Sequence, residues 1–121
     1  MTKQFILTAE YRIRLRSQVL AALKTGRANA ITGRDFAHVL GQSDDRKIHL
    51  VIRELISEGV PIASSVSEPM GYYIVANEHE AADYMRILKE RIREDMARLR
   101  DFRSACHEFS IPEQRSLFEE V

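Results

Sequence analysis

The sequence predicts an α+β chain that is mainly α, with three helices, a β-hairpin and one long C-terminal helix. Three observations carry this. Apolar residues recur at helical spacing in segments punctuated by Gly26, Gly41 and Gly59. Two β-type runs, VPIASS and YYIVA, flank a Pro/Gly-containing loop, the pattern of a hairpin. From Asn77 to about Phe109 the chain has neither Gly nor Pro, and its apolar residues advance in steps of three and four.

Taken in order, Thr8 is expected to cap a first helix that runs to about Lys24 and stops at Gly26. Ile13, Val19, Leu20 and Leu23 are its expected inner stripe, with Arg12, Arg14 and Arg16 on the other faces. Ala30-Ile31-Thr32 reads as a very short strand. Thr32 then caps a second helix over about Gly33–Leu40, with Asp35 completing a weak capping box and Phe36, Val39 and Leu40 inward. Gly41-Gln42-Ser43 is a tight turn in which Gly supplies the positive φ and Ser43 caps the next helix. That third helix, 44–58, is expected to bury Ile48, Val51, Ile52 and Leu55 and to leave Arg46, Lys47, His49 and Arg53 outside. Of the adjacent Tyr72 and Tyr73, one belongs in the core and one outside.

Asn77, with Glu80 three residues on, opens the long helix. The hairpin and short helices offer it little to lie against. Its stripe of Met85, Leu88, Ile92, Met96, Leu99 and Phe102 is therefore expected to meet a second copy, making the protein a homodimer. The organisation that follows is a domain over residues 1–76, a dimerisation helix over 77–109 and a flexible tail over 110–121.

Charge is asymmetric although the 121-residue chain is neutral overall. Residues 1–53 hold ten Lys/Arg against four Asp/Glu, and residues 54–121 hold eight against fourteen. The basic half points to a polyanion; uneven scatter of solvated charge is the plainer alternative. No apolar run is long enough to span a membrane, no secretory signal is evident, and the single Cys106 cannot form an internal disulfide. These features lead us to expect a cytoplasmic protein without a membrane partner.

Catalytic signatures are missing from the sequence, and an enzyme is not expected. His38, His49, His79 and His107 stand apart, and Cys106-His107 supplies too few ligands for zinc. No glycine-rich phosphate loop, serine elbow or carboxylate pair is present. Neither cofactor nor metal is called for.

The order helix, short strand, short helix, tight turn, helix, hairpin is the winged helix-turn-helix plan. The segment GRDFAHVLGQSDDRKIHLVIRELISEGVPIASSVSEPMGYYIV resembles the DNA-binding domain of the biotin repressor and similar small phage and bacterial regulators. The resemblance rests on Ala37, Leu40, Gly41 and Ser43, then Gly59 to Ile62, then Gly71 to Tyr73, and covers about residues 15–76. It implies a third helix that enters the major groove of double-stranded DNA and a wing that touches backbone or minor groove. On that reading Arg46 reads a base, on an outward face it shares with His49 and Arg53. Lys47, Arg53, Arg34 and the Ser43 turn hold phosphate, with Arg27 as a further candidate. Two features depart from the pattern: Asp44 and Asp45 open the reading helix, and the wing SSVSEPMG has no cation of its own.

After Pro112 the chain ends EQRSLFEEV, and Gln114-Arg115-Ser116-Leu117-Phe118 resembles the peptide by which replication and repair proteins dock on a bacterial sliding clamp. Gln114, Leu117 and Phe118 would be the anchors. The alternative has Ile111, Leu117 and Phe118 folding back on the long helices. The expected function is thus a dimeric DNA-binding protein, a transcription regulator or a mobile-element replication or partition factor. The second reading is a replisome interaction module that docks through residues 114–118.

Overall fold

Helix α1 spans Thr2–Ala22, so Thr8 lies within the helix and not at its start. The structure, a computed structural model, describes residues 2–111, with side chains from residue 9 onward. Among the described side chains, Leu15 and Val19 of α1 and the following Leu23 are buried, with Tyr11 and Ala22 half-buried beside them. Ile13 and Leu20, expected inside, are exposed. At about 100° per residue the four-residue step 11-15-19-23 makes one stripe, and neither Ile13 nor Leu20 falls on it. Arg12 and Arg16, one turn apart, pair with Glu54 and Glu58, one turn apart on a later helix.

A single 3-10 turn at Arg27–Asn29 follows, entered through Gly26 at φ 96°. Thr32 caps α2, Gly33–Val39, its hydroxyl accepting from the Asp35 N–H at 3.0 Å, as the sequence predicts. The inner face of α2 is Gly33, Phe36, Ala37 and the following Leu40, an i, i+3, i+4, i+7 set. Val39 points outward at 66% exposure, contrary to expectation.

Helix α3 is Arg46–Ser57. Residues 43–45 bend instead of winding, so Ser43 is not the cap. Asp45 occupies the cap position without a side-chain cap bond, while Asp44 Oδ1 accepts from the Arg46 N–H at 3.0 Å. Ile48, Val51, Ile52 and Leu55 are all buried, as predicted. With Phe36, Val19 and Leu15 they form the core. Gly59, at φ 109°, ends the helix.

Strands β1, Ile62–Ser65, and β2, Gly71–Ile74, pair antiparallel in the register Ile62↔Ile74 to Ser65↔Gly71. The outer edge of β2 is covered on both halves. Ile31 exchanges both backbone hydrogen bonds with Tyr72 at 2.7 and 3.0 Å. Ile74 accepts from Gly26 N and donates to Lys24 O, both at 2.8 Å. The first of these contacts is the expected strand at Ile31, reduced to a bridge. Gly71 makes it possible: at φ 120°, a Cβ would sit 2.2 Å from the backbone carbonyl of Ile31. Tyr73 is the core tyrosine and Tyr72 the half-buried one.

Helix α4 is Glu78–Glu108. Asn77 Oδ1 accepts from Glu80 N, and Glu80 Oε1 reaches back to Ala76 N, both at 2.9 Å, a capping box displaced by one residue. Ser110, at φ 55°, closes the far end, where Ser110 N and Ile111 N return to His107 O and Cys106 O. The chain forms two compact units that divide after Tyr84. Among the described residues no helix is long and apolar enough to cross a membrane.

Candidate nucleic-acid interface

With its apolar face sunk in the core, α3 presents Arg46, His49, Leu50 and Arg53 outward. The spacing i, i+3, i+4, i+7 places these four on one face. Arg46 stands at the first turn with its side chain 87% exposed, its guanidinium 3.8 Å from Asp44. Arg53, one face-length on, has no ion pair among the described residues. Leu50, between them, is 62% exposed.

Lys47 sits apart from this face. Its ammonium lies 4.6 Å from the centre of the Tyr11 ring, so it covers the seam between α3 and α1. Tyr11 in turn donates to Gln42 Oε1 at 2.5 Å, which fixes the turn before α3 to α1.

His49 is engaged on both ring nitrogens. Nε2 lies 3.0 Å from Asp45 Oδ2, one turn earlier, and Nδ1 meets the Tyr72 hydroxyl on β2. The two rings stand edge to face at 5.6 Å. Burial, then the Asp45 charge, then Tyr84 push the Tyr72 hydroxyl above its ordinary pKa. The hydroxyl therefore stays protonated and can donate to Nδ1, leaving Nε2–H to donate to Asp45. His49 joins the outward helix to the hairpin and is positioned more as a brace than as a reader of bases.

The two acids that seemed out of place in the sequence are both occupied. Asp44 holds the first turn of α3 through the Arg46 N–H, and Asp45 orients His49. Arg34 enters α2 exposed and without an ion pair among the described residues, and it lines one depression with Ser43, Asp44 and Asp45. The predicted Arg34 and Ser43 thus share one depression at the α2–α3 turn, and Arg46 approaches Asp44 on its rim.

The hairpin, which lacks a cation in its own sequence, acquires one from elsewhere. The Arg27 guanidinium donates to Ser65 Oγ at 3.2 Å and Ser67 Oγ at 2.5 Å. The Arg27 backbone N–H donates to Glu80 Oε2 at 3.0 Å. That bond and the one from Ala76 N hold the Glu80 carboxyl below the usual glutamate range.

Sequence reasoning missed Leu50, the Arg27–hairpin contact and the His49 brace. The Asp45–His49 spacing of four was visible in the sequence, and so was Leu50 at four from Arg46. Nothing local connects Arg27 to Ser67 or His49 to Tyr72, because those pairs are joined only by the fold. Gln114, Leu117 and Phe118 lie outside the described residues. Among the described residues no group of three His, Cys, Asp or Glu side chains is placed to hold a metal. Comparison with protein-family models, with curated proteins and with solved structures gives no match.

Proposed function

We propose that this chain binds double-stranded DNA as a winged helix-turn-helix protein, with α3 in the major groove and the β1–β2 hairpin as the wing. The observation that carries the reading is the outward face of α3: Arg46 and Arg53 exposed around Leu50, on a helix whose opposite face is wholly core. An α-helix fits the major groove, and the residues of its first turns reach base edges. Arg46 is the base reader, since a guanidinium pairs bidentately with guanine O6 and N7. Leu50 suits the methyl group of a thymine.

Phosphate contacts fall to Arg53 and Arg34 and, at the flank of the α3 face, to Lys47 if it leaves the Tyr11 ring, and Arg27 supplies the wing with the cation its loop lacks. Phosphate contacts of this kind supply affinity without sequence information. In this reading His49 and Tyr72 set the angle between the reading helix and the wing.

The test is a comparison of Arg46→Ala with Arg53→Ala on a site selected from random duplexes. Arg46→Ala is expected to lose about 1–3 kcal/mol and to relax preference at one base pair. Arg53→Ala is expected to weaken all sequences alike. Equal, sequence-independent losses for both variants would remove the base-reading role of Arg46.

A further inference from the structure

Helix α4 carries an apolar stripe that is largely exposed among the described residues. Met85, Ile92, Met96 and Phe102 are 49–63% exposed, and Leu88 and Leu99 are half-buried between them. From Met85 onward the stripe keeps a heptad. Met85, Ile92, Leu99 and Cys106 occupy one core position, and Leu88, Asp95, Phe102 and Phe109 occupy the other.

The positions that flank such a seam decide what it pairs with. Here they are Lys89, Met96 and Arg103 on one side and Arg91, Arg98 and Ala105 on the other. Four of the six are cations and none is an acid. The acids of this stretch, Glu90, Glu94, Asp101 and Glu108, lie on the opposite face.

A second copy of the chain matches this surface poorly. In a parallel pair Arg98 would face the Arg103 of the other copy, and Asp95 would meet Asp95 in a core layer. In an antiparallel pair cationic flank would again run along cationic flank. Like charges across a seam disfavour a pairing that the apolar residues alone would allow, and a carboxylate layer inside it is more costly still.

We propose that the α4 stripe docks an amphipathic helix of a different protein, one whose flanking positions are acidic and whose seam offers a donor such as Asn or Lys opposite Asp95. Its apolar residues bury the exposed stripe, and its Glu or Asp residues pair with Lys89, Arg91 and Arg98. Asp95, which lies 3.4 Å from Arg98, sets the register. The proposal does not depend on the reading of the α3 face.

The experiment uses the full chain and two synthetic helices of about four heptads with the same Leu/Ile seam and one Asn layer. One carries Glu at every flanking position and the other Lys. Fluorescence anisotropy is expected to show the Glu helix binding about tenfold or more tightly than the Lys helix, with the preference lost in the R91E/R98E variant, whose flanks carry two cations and two acids. Circular dichroism of that variant checks that α4 is intact, since both substitutions keep good helix formers. Equal affinity for both helices would overturn the proposal. So would a stable homodimer at tens of micromolar that excludes both, or binding to anionic phosphatidylserine vesicles in place of either helix.

Discussion

The Tyr72 hydroxyl on β2 meets Nδ1 of His49 on α3, while Nε2 of the same ring lies 3.0 Å from Asp45. One half-exposed imidazole therefore ties the outward helix to the hairpin and to its own first turn. Deleting either partner should loosen the same joint. Tyr72→Phe and His49→Ala are each expected to cost about 0.5–1.5 kcal/mol in urea unfolding, the usual net value of one hydrogen bond. The double variant should cost less than the sum of the two. Strict additivity would mean the contact carries no energy.

Gly71 faces a different constraint. A Cβ there would lie 2.2 Å from the Ile31 carbonyl carbon, and φ is 120°. Gly71→Ala is expected to break the Ile31–Tyr72 bridge and cost about 2–4 kcal/mol, summing backbone strain and two lost hydrogen bonds. Gly41, at φ 68° with open space around its Cβ position, is the control. Gly41→Ala should cost only about 1–2 kcal/mol, the left-handed penalty alone. Thermal unfolding of the two variants separates steric collision from conformational strain.

Leu50 offers a cleaner probe of the proposed interface than any cation. At 62% exposure its truncation should leave stability within about 0.5 kcal/mol. On a selected duplex, Leu50→Ala is expected to weaken binding by about 1 kcal/mol through the lost apolar contact. Replacing the contacted thymine with uracil should mimic the effect in the unmodified protein and have no further effect in the variant. An unchanged affinity in both experiments would place Leu50 off the DNA.

Glu80 gives a pH dependence of known sign. Its carboxyl is held below the ordinary value, first by the Arg27 N–H and then by the Ala76 N–H. A group depressed in the folded state stabilises above its unfolded pKa, near 4.5, and loses that contribution as pH falls through its lower folded value. Stability should therefore decline below about pH 4.5 partly through Glu80. Protection of the Arg27 and Ala76 amides against exchange, measured relative to the intrinsic rate at each pH, should fall in the same window. In Glu80→Gln, exchange at one of these amides should already be raised at neutral pH and depend less on acid.

Much of the fold was legible because it rests on local rules. The α3 stripe of Ile48, Val51, Ile52 and Leu55, the Thr32 cap and the Asn77–Glu80 box each depend on residues within a few positions of one another. Errors arose where two apolar stripes competed. Val39 and Leu20 looked as suitable for burial as Ala37 and Leu15, and only the partner helices decide between them. Ser43 was misread as a cap because Asp44 and Asp45 compete with it for the same N–H groups. At the candidate site the cations were readable as residues but not as geometry. Whether Lys47 leans on Tyr11, or Arg27 on Ser67, depends on contacts about 36–40 positions apart in sequence.

Binding to random-sequence duplex DNA, followed by anisotropy as salt is raised from low ionic strength, bears most directly on the proposed function. With Arg27, Arg34, Lys47 and Arg53 on phosphates, each copy should show a log–log slope of about −3 to −4, reduced by about one in Arg53→Ala. Absence of binding at low salt, or binding whose slope ignores Arg53, would contradict the assignment of the α3 face to DNA.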